Sequence, residues 1–468
     1  MLRVNAGNAR RRSELAALVL PLAACAMFQR VPERPPLDRE GEVALLLTTA
    51  DETKRVDFEV ESAEAVRDGL RVPLEGGSAA TGSPAAKQQR RIAFGRLEPG
   101  AYRGFSVQLR HPVSGDVQLA EPKGPTHIDA PFSVSPRQAT VVTVRAAFGR
   151  LAAGAPLEVT YTASVPPRTV PALAGLCTQS ETHDVALFDK RSREVTALLP
   201  TGRAPWGLAI DPVLNRAWVS LEGDDEIAVV DLANAAELSR IRLNAGDGPR
   251  ELLLTADRRT LISANFGSNT VSLIDAGAMI ETGRIQVAEG PTALLSDRKG
   301  QRVYVFHQRS NAVSVIDTGT RTLVSTLPTD NPPLRGQIDA AGARLYLASP
   351  VSTYLTVLAL PGFAPLQRVY VGTGTTALKI DTATGFLYVA GPGGRVQVFD
   401  PVSLIPVDVV ELPSEVAWMS IDQSENTLFA LMPSRRSVAV INLATKSVIA
   451  EFDVGPEARV LGMIGERN

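Results

Sequence analysis

The chain has 468 residues, of which 44% are hydrophobic, 5% aromatic and 21% charged, and its formal net charge is −2. That length and apolar content support two or three packed domains, with cores that are mainly aliphatic. The charge excludes a generic nucleic-acid binder, which needs a basic footprint. Residues 1–24 hold Arg3, Arg10, Arg11, Arg12 and Glu14, so losing them would take the net charge from −2 to −5.

The N-terminus reads as a secretion signal. Three consecutive Arg precede LAALVLPLAAC (15–25), an apolar run too short to span a bilayer. Leu22-Ala23-Ala24-Cys25 has the form of a lipobox, in which small residues fit the signal peptidase and the thiol takes the lipid. The expectation is a lipidated Cys25 at the mature N-terminus and a membrane partner through that anchor. The alternative is an ordinary signal peptide with an incidental Cys. Ala26 follows, and resemblance to lipoproteins of two-membraned bacteria implies outer-membrane sorting, periplasmic or surface-facing. Residues 26–41, rich in Pro and charge (RVPERPPLDREG), have no face to bury and read as a tether.

Residues 42–165 form a second unit. EVALLLTT, RVDFEVESAEAV, RRIAFG, YRGFSVQLR, HIDAPFSV and ATVVTVRAAFG are strand candidates. GGSAATGSPAAK (76–87) is a loop by composition. LEPGAYRGFSVQL places a Pro-Gly turn before an aromatic strand, as antiparallel sandwiches do. The order of these segments resembles a β-sandwich domain found behind bacterial lipoprotein signals. VPPRTVP (165–171) reads as a hinge.

Beyond residue 171 the chain repeats. Pro205, Pro249, Pro291, Pro333, Thr375, Val416 and Pro456 occupy one slot, spaced by 44, 42, 42, 42, 41 and 40 residues. Asp189, Asp231, Asp275, Asp317, Ala359, Asp400 and Asn442 occupy a second, spaced by 42, 44, 42, 42, 41 and 42. Each unit holds four short apolar runs, for example 206–210, 216–221, 226–231 and 238–243. A period near 40 to 45 residues with four strands per unit marks a β-propeller blade. The last opening precedes a single strand, 459–464, and three unclaimed strands lie upstream at 173–178, 184–189 and 195–199. The expected fold is therefore all-β: a seven-bladed propeller over 171–468, closed by the C-terminal strand and preceded by the sandwich. Ring closure of this kind removes free sheet edges.

ANFGSNTVSLID (264–275) and YVFHQRSNAVSVID (304–317) resemble the YVTN-type repeats of bacterial propellers, related in form to surface-layer and YncE-like proteins. The resemblance covers about 171–468. It implies the propeller fold and, for function, a binding or scaffold protein. Two units depart from the pattern: that from Pro333 ends its third strand in VLAL, and that from Thr375 lacks the opening Pro.

Motifs for chemistry are sparse. The sequence has no CxxCH for haem, no HExxH and no paired CxxC for zinc, so no catalytic, metal or cofactor residues are assigned. Gly372-Thr373-Gly374 has no helix after it and reads as a connecting turn. Asp211, Asp339, Asp381 and Asp422 precede turn residues and read as local caps. Cys177 reads as a small apolar filler. In propellers of this kind the loops entering the inner strands share a face with those between second and third strands. That face would carry Trp206, Arg250, Phe266, His307, Arg309, Arg335, Arg435, Arg436 and Trp418. Arg and aromatics on loops suit recognition of a polar or anionic protein, peptide or glycan. The competing reading is a propeller enzyme, a metal-dependent lactonase or a dehydrogenase-like subunit. It would need acidic, Asn or His ligands converging on the channel.

Overall fold

The computed structural model describes residues 37, 39–49, 59–76, 87–110, 120, 124–148, 158–372 and 374–466. The expected leader, Cys25 and nearly all of the tether lie outside these residues, as does most of the 76–87 loop. The described chain is all-β, interrupted by three single-turn 3₁₀ segments.

Six free-standing four-stranded antiparallel sheets follow the repeat. Five take their strands in chain order: residues 205–242, 249–286, 291–328, 335–370 and 377–411. The sixth joins Glu194–Pro200, Asp184–Asp189 and Ala174–Gln179 to Ala458–Met463. The propeller is thus closed by the C-terminal strand, with Leu461 opposite Cys177 and Met463 opposite Gly175. Closure continues past that strand. The buried Lys190 Nζ donates to the Ile464 carbonyl at 2.6 Å and pairs with Asp422 at 2.8 Å, while Lys379 Nζ meets Glu466 at 2.7 Å.

The recurring Asp has a local cause. Asp189, Asp231, Asp275, Asp400 and Asn442 each accept, on one side-chain oxygen, the backbone N–H groups two and three residues on, at 2.7–3.4 Å. The fourth residue on then turns left-handed, as Arg193, Ala235, Met279, Leu404 and Lys446 do with φ of 49° to 58°. A short side-chain acceptor closes this turn between third and outer strands without help from distant residues.

The N-terminal strands form a mixed sheet. Gly41–Thr49 runs antiparallel to Lys87–Leu97 and parallel to Ala139–Phe148, which pairs with Val159–Ser164. Lys87–Leu97 also touches Leu70–Gly76, which continues through Glu59–Arg67 and Gly100–Arg110 to Thr126–Val134. One core takes Val43, Leu45 and Leu47 together with Phe105, Val107, Ile128 and Phe132. The alternate residues Ala44 and Leu46 pack instead with Phe94 and with Phe188, Phe429 and Phe452 of the propeller side. That explains why EVALLLTT is apolar without alternation: both of its faces are buried.

Strands Trp418–Asp422, Thr427–Met432, Ser437–Asn442 and Val448–Asp453 form a meander with the same order as the five chain-order sheets. Its outer strand is not free. Lys87–Gln89 pairs with Ala450–Phe452 in parallel, so the meander and the N-terminal strands share one twelve-stranded sheet. Gln89 bridges onward to the next sheet: its side chain accepts from Val195 N at 2.8 Å. Beside it, Arg90 meets Glu451 at 2.6 Å with both side chains about 8% exposed, and Arg91 N donates to Asp453 at 3.2 Å.

Candidate functional site

Three side chains take the second position of an inner strand: Trp206 in Pro205–Asp211, Arg250 in Pro249–Leu254 and Arg459 in Ala458–Met463. The backbones of Trp206 and Arg250 are held from the preceding sheet. Thr178 Oγ1 donates to the Trp206 carbonyl at 2.6 Å, and Ser220 Oγ donates to the Arg250 carbonyl at 2.5 Å. The strands approach so closely at Gly207 that a Cβ there would lie 2.3 Å from the Arg250 oxygen.

These side chains build a ladder of guanidiniums and rings. Arg459 lies 4.7 Å and Arg250 4.3 Å from the centroid of Trp206. Arg250 also lies 3.3 Å and Arg309 4.1 Å from that of Phe266. Phe266 comes from the turn after Thr260–Asn265, fixed by its N–H donating to the Gly248 carbonyl at 3.0 Å. Arg309 comes from the turn after Arg302–His307 and folds over Gly290, where φ is +68° and a Cβ would come within 2.7 Å of it. Cation–ring contacts of this kind contribute about 0.5–2 kcal/mol each, more when desolvated.

Charge around the ladder is uneven. Arg250 donates from Nε to Glu222 at 2.8 Å, and Arg459 pairs with Glu457 at 3.0 Å. Arg309 is exposed and makes no ion pair among the described residues. Burial pushes the Arg250 pKa below its ordinary value. Glu222 opposes this, and the neighbouring Arg309 and Arg459 add to it.

A second contact group adjoins the first through Glu251. Arg335 lies 3.8 Å from the centroid of Trp418 and 3.4 Å from the Glu251 carboxylate. Burial pushes the Glu251 carboxyl above the usual range, against Arg335 and the Leu294 N–H. These residues border a cavity of about 310 Å³, lined also by Leu253, Leu295, Gln337, Lys379, Met419 and Glu466. A separate hollow of about 730 Å³ lies on the outer rim, between residues 367–370 and 403–409, away from this group.

Of the nine candidate side chains, the structure links Trp206, Arg250, Phe266 and Arg309 in the ladder and Arg335 with Trp418 beside it, while Arg436 is exposed at the end of the 433–435 turn. His307 is fully buried, with Nε2 2.9 Å from Ser314 Oγ. Burial pushes its pKa down to about 4, partly offset by the Ala288 backbone. Arg435 points to the N-terminal junction and donates to Glu451 at 3.2 Å. Sequence reasoning missed Arg459 and Glu222. By the repeat Glu457 holds the slot of Trp206 and Arg250, and only the strand pairing, with Ala458 opposite Gln179 as Pro205 is opposite Leu221, puts Arg459 in their place. Cys177 is buried, its thiol pushed well up by burial and then by Asp184. Among the described residues, no group of three or more His, Cys, Asp or Glu is placed to hold a metal ion. No helix among them is long and apolar enough to cross a membrane.

Residues 175–383 match the model of the YNCE-like beta-propeller, so this stretch is a YncE-like β-propeller domain. Among solved structures, the chain is similar to Kuenenia stuttgartiensis hydrazine synthase, with 17% identity and a TM-score of 0.52 over 58% of this chain and 94% of that one. It is also similar to the dihydro-heme d1 dehydrogenase NirN in complex with DHE, with 14% identity and a TM-score of 0.52 over 64% of this chain and 77% of that one. At such identities the likeness concerns the fold. No curated protein matches the sequence.

Proposed function

We propose that this chain is a non-enzymatic binding or scaffold protein whose YncE-like propeller takes a protein, peptide or glycan at its channel mouth. The observation that carries the reading is the ladder of Arg459, Trp206, Arg250, Phe266 and Arg309, which draws residues from four successive sheets into one cluster. Arg and aromatic side chains are the commonest energetic anchors of interfaces. Counting the meander of residues 418–453 as a seventh blade completes the ring. Its shared strand order supports this, as does the position of Trp418–Asp422 against both Ala377–Ile380 and Ala458–Met463. Residues 42–165 are read as a sandwich domain, supported by their shared core. The leader ending in Cys25 supports a lipid-anchored protein of the cell envelope, at the outer membrane.

The test is a mixed peptide and glycan array probed with the full chain and with its Trp206→Ala and Phe266→Ala variants. Binders of the full chain should weaken at least about tenfold on both variants, because each ring holds two of the guanidiniums in place. Binders that hold both variants as tightly as the parent would place recognition elsewhere and overturn the reading.

A further inference from the structure

Resting on that reading of the mouth, we infer that its partner is an acidic peptide segment, bound extended along the Arg459–Arg250–Arg309 arc. Three guanidiniums share this arc, and Glu222 and Glu457 pair with two of them. Arg309 is exposed and makes no ion pair among the described residues, although Phe266 and the bare Gly290 backbone fix where it lies. A cation held in place before binding loses little freedom when a carboxylate arrives. The arrangement is also electrostatically incomplete, since Arg309 and Arg459 both disfavour the charge on Arg250. An added carboxylate would relieve that repulsion.

The type of ligand follows from what the ladder leaves open. Trp206 and Phe266 each already carry two guanidiniums, so their faces are occupied rather than free to stack on sugars or bases. Arg309 is exposed and makes no ion pair among the described residues, and a guanidinium left in that state suits a carboxylate in a bidentate pair. The arc crosses the closing sheet and the sheets of residues 205–242, 249–286 and 291–328 in succession. A single small anion would reach one step of it. An extended segment with several carboxylates can meet them all.

The experiment measures fluorescence anisotropy with the full chain and four labelled probes: hexaglutamate, hexaglutamine, hexalysine and octathymidylate. Hexaglutamate should bind at least about tenfold tighter than hexaglutamine, and hexalysine should not bind. Arg309→Gln should weaken hexaglutamate about tenfold, the loss expected for one charge-assisted pair, while Tm falls by no more than about 4 °C from the lost ring contact. Arg368→Gln, on the outer rim, should change nothing. The inference is overturned if hexaglutamate binds no better than hexaglutamine, if Arg309→Gln leaves its affinity intact, or if octathymidylate binds tighter. Neutral peptides that bind in a Phe266-dependent way would sink the acidic ligand and leave the mouth reading standing. Binding insensitive to Phe266→Ala would sink the mouth reading itself.

Discussion

Replacing Arg90 by Met should destabilise the whole protein, because Arg90 neutralises a carboxylate that the propeller cannot expose. Glu451 is about 8% exposed and lies on the outer strand of the 418–453 meander, covered by Lys87–Leu97. Its Oε1 accepts from Ser437 at 2.7 Å and Arg435 at 3.2 Å, besides meeting Arg90 at 2.6 Å. Breaking a buried pair by removing one partner costs about 3–5 kcal/mol, whereas replacing both partners by apolar residues is often close to neutral. With Arg435 retained, Arg90→Met should cost about 3 kcal/mol, near the lower end. The double variant Arg90→Met/Glu451→Leu should recover most of that. Burial alone would push the Glu451 carboxyl up, but Arg90, Ser437 and Arg435 outweigh it and hold the carboxyl below the usual range. A folded-state pKa below the unfolded one gives stability that is complete above the ordinary carboxylate range and is lost as pH falls through the folded value. Arg90→Met removes that contribution, so its cost should be greatest above the carboxylate range and shrink as pH falls through it. Guanidinium titration of the four proteins of the cycle, repeated across acid pH, measures both effects. A loss under about 1 kcal/mol for Arg90→Met, or a double variant whose cost is the sum of the singles, would refute the reasoning.

Other outcomes follow from single contacts. Leu461→Ala in the closing strand removes a side chain about 1% exposed and should cost about 2–5 kcal/mol, read as a fall in the denaturant midpoint at unchanged slope. His307 has its folded pKa lowered to about 4, below an ordinary 6.5, so its contribution is complete above pH 6.5 and disappears toward pH 4. His307→Gln should flatten the dependence of stability on pH across that window, where the histidine is worth on the order of 3 kcal/mol. An unchanged slope would mean that the ring is not buried neutral. Expressed in a bacterial host, the full chain should fractionate with membranes and its Cys25→Ser variant should not. Membrane partition that survives the substitution would remove the lipid anchor.

Much of this fold is readable along the chain because its causes are local. The repeat is visible since five of the sheets are made by neighbouring strands, and the Asp slot is visible since Asp189, Asp231 and Asp275 cap backbone groups two and three residues away. The ring closure follows from the same repeat, as 458–463 supplies the strand that 174–200 lacks. Two kinds of place in the unit were legible for the same reason: Trp206 and Arg250 follow the opening Pro, and Phe266 and Arg309 lie in the turn after the second strand. Which of them meet was not legible. His307 ends its strand just before Arg309, yet it is buried against Ser314 while Arg309 is exposed over Phe266. Least legible was the run Gln88-Gln89-Arg90-Arg91. As sequence, only its Arg90 and Arg91 fall in a strand candidate, RRIAFG, and four polar residues in a row carry no sign of burial. In the structure it lies between the outer strands 448–453 and 194–200, and Arg91 bonds to a side chain 362 residues away. Polar residues become core residues there only because their partners, Glu451, Asp453 and the Val195 backbone, arrive from elsewhere in the fold. A pairing set by burial and charge between distant strands leaves no periodic trace in either one.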